Sequence, residues 1–167
     1  MRMAWLPDWA WGLPLTALTI AFHAGAVIGL AAALTGMQSG LVTKTQPRWR
    51  VASRAIIIIG TVGWILAALH GIEAIIWAAA YVALRALPTF PDAVLYSIDS
   101  LTTRGESGMR LEGKWRLLGA LEASNGVLLF GISTAFLFAV AAELQTSFRK
   151  PRKTPGVSTA ANQGSER

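Results

Sequence analysis

The sequence predicts an all-α integral membrane protein: three transmembrane helices, with a short re-entrant helix and loop between the second and third. Three observations predict it. Of 167 residues, 53% are hydrophobic and only 14% charged, which is too apolar for an average soluble domain. The apolar residues fall in blocks rather than at amphipathic spacing, the pattern of bilayer-embedded helices. Residues 91–108, PDAVLYSIDSLTTRGESG, lie between two such blocks but are too short and polar to cross a bilayer, which takes about 20 apolar residues. Irregular backbone at membrane depth is tolerated only where protein buries it or where it lines a water-filled cavity. The stretch therefore reads as re-entrant, with an ordinary extramembrane linker as the competing reading.

Composition also excludes functions. Without cysteine there is no disulfide framework, no thiolate metal site and no Cys nucleophile. The net charge of +6 sits beside apolar blocks, as topology signals and contacts with anionic lipid do, so a lipid bilayer rather than nucleic acid is the expected partner. No nucleophile–base constellation, phosphate-cradling glycine loop or cofactor motif is present, so no catalysis and no cofactor are expected.

In chain order, Trp5, Trp9 and Trp11 match an interfacial aromatic belt. The first span is 13–36, retained as a helix because no small-residue cleavage pattern follows it. Ala24, Gly25, Gly29 and Ala33 space it for close helix packing. His23 lies inside, where a neutral, hydrogen-bonded imidazole at a helix contact is the expected role. Residues 37–54 carry Lys44, Arg48, Arg50 and Arg54 and no acidic residue, which marks a cytoplasmic connector. Arg149, Lys150, Arg152 and Lys153 follow the last span and fall on the same side. The expected topology is thus a multi-pass protein of the cell inner membrane, N-terminus outside and C-terminus cytoplasmic, although Arg104, Arg110, Lys114 and Arg116 crowd the other face.

The second span, 55–87, runs without proline to Pro88 and is long enough to extend beyond the membrane, with Trp77, Tyr81 and Arg85 marking its outer exit. His70 and Glu73 share one helix face at i, i+3. That spacing is a weak metal signal, and a hydrogen-bonded pair near the outer leaflet is the expected outcome. Residues 109–116 form a charged outer linker, and the third span, 117–142, carries Glu122, Asn125, Gly126, Gly131, Ser133 and Thr134. Such a polar, small-residue stripe suits a helix that lines water or packs on copies of itself. From Thr146 the tail is basic and lacks apolar periodicity, as a disordered segment does. The organisation is an N-terminal helix with its basic loop over 1–54, a membrane module over 55–145 and a tail over 146–167. A membrane enzyme or metal carrier would require His23, His70, Glu73 and Glu122 to converge on one ion.

The order of second span, short helix, Thr-Thr-x-Gly turn and small-residue-rich last span resembles the pore module of bacterial potassium channels. Their signature runs Thr-Thr-hydrophobic-Gly-Tyr-Gly-Asp after a Tyr/Phe-Ser-rich pore helix. Tyr96-Ser97-Ile98-Asp99-Ser100-Leu101-Thr102-Thr103 matches the pore-helix side, Gly105 the first filter glycine, and Trp115-Arg116-Leu117 with Gly126 to Phe138 the inner helix. The resemblance covers about residues 60–142, and the first span is an addition to the minimal module. It implies a passive ion channel, a homotetramer around a central pathway, and inorganic cations, potassium by family, as the permeant species. It implies a selectivity filter at Thr102, Thr103, Arg104, Gly105, Glu106 and Ser107, braced by Asp99; a gating hinge at Gly126 or Gly131; and Thr134 lining the pore.

The departures fall on the filter. Arg104 stands where the family has a hydrophobic residue, Glu106 for the tyrosine, Ser107 for the second glycine and Gly108 for the aspartate. Potassium filters strip the ion's water with rings of carbonyls, so these changes put the selectivity in question. A non-conducting scaffold or subunit that keeps the channel fold is the alternative. Facing into protein, as the family's side chains do there, Arg104 would be a buried guanidinium that needs a partner, and Asp99 or Glu106 is expected to bridge to it. Facing the lumen, a Glu106 ring would attract cations and an Arg104 ring would repel them.

Overall fold

In the computed structural model, which describes residues 6–38, 47–105, 107–111 and 113–148, the chain is all-helical among the described residues. The elements are α1 (Leu6–Gln38), α2 (Arg48–Ala83), α3 (Phe90–Leu101) and α4 (Arg116–Phe148), with a short 3-10 turn, Gly113–Trp115, ahead of α4. Three segments, Leu6–Gly36, Trp49–Ala83 and Arg116–Thr146, are long and apolar enough to cross a membrane. The protein is membrane-embedded.

The boundaries differ from the sequence expectations in informative ways. α2 starts at Arg48, not 55, because nothing between Pro47 and Ala55 breaks a helix, and Pro47 itself, extended at φ −63° and ψ 143°, is tolerated at a helix start. The basic connector therefore shrinks to 39–47, of which 39–46 lie outside the described residues, and Arg50 and Arg54 are exposed on the first turns of α2. α2 ends at Ala83, not 87. The residue before a proline disfavours the α region, and the chain turns earlier, at Arg85 with φ 53°. The Ala86 N–H bonds the Tyr81 carbonyl at 2.8 Å, closing the last turn as a left-handed cap does. α4 continues to Phe148, so Thr146–Phe148 are helical; the remainder of the expected tail, 149–167, lies outside the described residues.

Polar rungs fix how the helices run. The Leu118 N–H donates to Asp8 Oδ1 at 3.0 Å, Asn125 Nδ2 donates to Thr19 Oγ1 at 2.8 Å, and Ser133 Oγ lies 3.1 Å from His23 Nε2. Residue numbers climb together, so α1 and α4 are parallel. α2 opposes them, with Tyr81 beside Glu122 and His70 beside Ser133. The main core sits at the end where α3 enters: Trp77, Ala78, Tyr81, Ala93, Leu111, Trp115 and Leu118 pack together. Trp77 and Tyr81 are 0% exposed, and so do not mark an interfacial exit. α3 and the turn before α4 cover that side of α2 and convert expected belt residues into core.

Candidate functional site

α3 begins with a reciprocal cap. Thr89 Oγ1 accepts from the Asp92 N–H at 3.2 Å and donates to Asp92 Oδ2 at 2.7 Å, satisfying a donor that the helix start leaves unpaired. At 12 residues, α3 is about 18 Å long at ~1.5 Å per residue. Its descent along α4 is held by side chains. Ser97 Oγ donates to Glu122 Oε1, Tyr81 OH donates to Glu122 Oε2 at 2.6 Å, and Ser100 Oγ donates to the Gly119 carbonyl at 2.9 Å. Tyr96 crosses Tyr81 edge-on, ring centroids 5.3 Å apart. The tip of α3 rests on Gly126: a Cβ there would lie 2.2 Å from the Leu101 carbonyl oxygen. Gly126 is thus a packing glycine in a continuous α4, whereas a Cβ on Gly131 would meet nothing within 4 Å.

The loop after α3 turns sharply. Thr102 closes the helix, its hydroxyl bonded to the Ile98 carbonyl at 2.8 Å. Thr103 is left-handed at φ 56°, with Gly105 at φ 69° and Gly108 at φ 72°; the two glycines take these angles without a Cβ penalty. Asp99 holds the loop at two points. Its Oδ1 accepts from Arg104 Nε at 2.9 Å and its Oδ2 from the Ser107 N–H at 2.9 Å. Of the two partners expected for Arg104, Asp99 therefore pairs with it; Glu106 lies outside the described residues. Within the single chain the Arg104 side chain is 58% exposed against 4% for Asp99. Thr102, Thr103, Arg104 and Gly105 are all exposed, and Ser107 is half-buried. Behind the loop is a cavity of about 310 Å³ lined by Tyr96, Asp99, Ser100, Thr103, Ser107 and Ala123, among others. Thr134 is exposed, its hydroxyl turned back to the Phe130 carbonyl at 2.8 Å.

A second polar cluster, built on His70 and Glu73, lies midway along α1 and α4. Glu73 Oε1 is 2.7 Å from His23 Nδ1, and Oε2 is 3.0 Å from His70 Nδ1. Both imidazole Nε2 atoms lie 3.1 Å from Ser133 Oγ. Four side chains from three helices thus close a ring. Sequence placed His70 and Glu73 on one face, and placed His23 and Ser133 in polar positions of their own spans; that all four meet follows only from the relative heights of the helices. Glu122 does not join them, being engaged with Tyr81 and Ser97. Asp8 and Tyr81 are polar partners too, of the Leu118 N–H and of Glu122, and sequence does not show it because those partners lie 110 and 41 positions away. No known protein family, curated protein or solved structure matches this chain.

Proposed function

We propose that the chain is one subunit of a passive ion channel of potassium-channel-like architecture, in which four copies surround a central cation pathway. One observation carries the reading. The tip of α3 abuts Gly126, ten residues past the first residue of α4, which is about 15 Å along the axis at ~1.5 Å per residue. α4 is 33 residues, about 50 Å, long, so the tip of α3 stands nearly a third of the way along a helix apolar enough to span. A short helix reaching membrane depth and returning through an irregular loop is tolerated only in protein or beside water. The exposed loop 102–105 supports water. Leu95 and Ile98, exposed on α3, support burial against neighbouring copies. The likeness of Tyr96–Thr103 and Gly105 to a potassium filter supplies the ion class, with the carbonyls and hydroxyls of Thr102, Thr103 and Gly105 as the coordinating groups. The membrane is the cell inner membrane, N-terminus outside and C-terminus cytoplasmic.

The second reading is a non-conducting subunit or scaffold. The exposed Arg104 guanidinium favours it, because a ring of four such charges beside the pathway repels cations. Flux through the reconstituted protein, with potassium, sodium, a divalent cation and chloride compared, decides between them. Cation flux that survives in Arg104→Gln supports the channel. Intact tetramers that pass no ion overturn it in favour of the scaffold.

A further inference from the structure

We propose that His23, His70 and Glu73 form a binding site for a divalent transition-metal ion of the zinc class, buried midway through the α1–α2–α4 bundle. The donor set is the first argument. Two imidazoles and one carboxylate are a common zinc ligand set, and one donor atom from each residue lies within 4.8 Å of the others. Geometry is the second. Ligands bonded at ~2.0–2.1 Å in a tetrahedron stand about 3.3 Å apart, while the Nδ1–carboxylate separations here are 2.7 and 3.0 Å. The side chains need to open by only a few tenths of an ångström to admit an ion. Each residue offers one donor atom, so the three ligands fill three corners of a tetrahedron and leave the fourth to a water, as open zinc sites do.

The surroundings are the third argument. Metal-ligating histidines almost always donate their other ring N–H to a fixed acceptor. With an ion on both Nδ1 atoms, both Nε2 atoms carry hydrogen, and Ser133 Oγ stands 3.1 Å from each. A hydroxyl oxygen has two lone pairs and accepts both. His70 is further oriented by stacking on Phe130, centroids 4.1 Å apart. His23 and Glu73 are 0% exposed; ionisable groups so placed within membrane helices are costly and mark function. The Glu73 carboxylate offsets one of the ion's two charges. The other nearby buried polar groups, Glu122 with Tyr81 and Ser97, and Asn125 with Thr19, are bonded among themselves. Because the ligands come from α1 and α2 and their support from α4, the ion staples the added N-terminal helix to the rest of the bundle.

The test uses the purified full chain, equilibrated with buffered zinc, then measured for metal content and by X-ray absorption at the zinc edge. The expected result is one zinc per chain with nitrogen and oxygen ligands only, including two imidazoles. His23→Gln and Glu73→Gln each weaken binding by more than the ~10–100-fold that an outer partner is worth. Ser133→Ala, which keeps every ligand, weakens it by about 10–100-fold at unchanged stoichiometry. A wild-type chain that retains no zinc overturns the proposal, as does wild-type affinity in His23→Gln and Glu73→Gln. Should those variants not fold, the absorption spectrum of the wild type and the affinity of Ser133→Ala still decide it. The outcome is independent of conduction: zinc bound without flux leaves this site standing and removes only the pore.

Discussion

Asp99 and Arg104 form a pair whose two ends differ in value. The carboxylate is buried and accepts from the Ser107 N–H as well as from Arg104, whereas the guanidinium is mostly in the open. A fully buried pair costs about 3–5 kcal/mol when one partner is removed, and an exposed pair about 0–1 kcal/mol. Arg104→Ala should therefore cost about 1–2 kcal/mol, since Asp99 keeps Ser107. Asp99→Ala should cost about 2–3 kcal/mol, because it releases two charge-assisted bonds and frees the loop. Unfolding midpoints in detergent compare the two, and equal losses would contradict this account. The pairing itself was legible in the sequence from a buried-charge argument. The exposure of Arg104 in the single chain was not, because it depends on the path the backbone takes after α3.

At the scale of elements, the contact between α3 and α4 sets what α4 can accept. A Cβ on Gly126 runs into backbone atoms of Leu101, the nearest at 2.2 Å, and backbone cannot rotate aside as a side chain does. Overpacking costs about 1–3 kcal/mol, and Gly126→Ala should lie at the upper end of that range or beyond it. Gly131→Ala meets open space and replaces a flexible residue in a helix, so it should stabilise by about 0.5–1 kcal/mol. Thermal unfolding of the two variants gives opposite signs if α3 is seated as described; tolerance of Gly126→Ala equal to that of Gly131→Ala would unseat it. The lengths of these helices were largely legible, since apolar blocks set them. Their ends were not, because α2 is stopped by a left-handed turn at Arg85 rather than by Pro88.

Across the whole molecule, the polar rungs Asp8–Leu118, Thr19–Asn125 and His23–Ser133 place the starts of α1 and α4 on one side of the membrane. The absence of cysteine makes orientation directly measurable. With the start of α1 outside, Arg110→Cys should react with an impermeant thiol reagent on intact cells, while Arg50→Cys should react only after permeabilisation. The reverse pattern would invert the topology and leave the fold unchanged. Both positions are exposed in the single chain, so accessibility reports the side of the membrane rather than burial.

What the sequence by itself determined is membership of the membrane class, three spans and a short interrupting helix. Each of these follows from local composition and from the length that a bilayer demands. It also determined that His70 and Glu73 share a face and narrowed the partner of Arg104 to Asp99 or Glu106, because these residues are close along the chain. Only the tertiary structure decided that Tyr81 and Ser97 converge on Glu122, that Gly126 carries the tip of α3, and that His23, His70, Glu73 and Ser133 close a ring. Those meetings join residues 25 to 110 positions apart. Each helix presents its own periodicity, but nothing in that periodicity states the height at which one helix stands against the next.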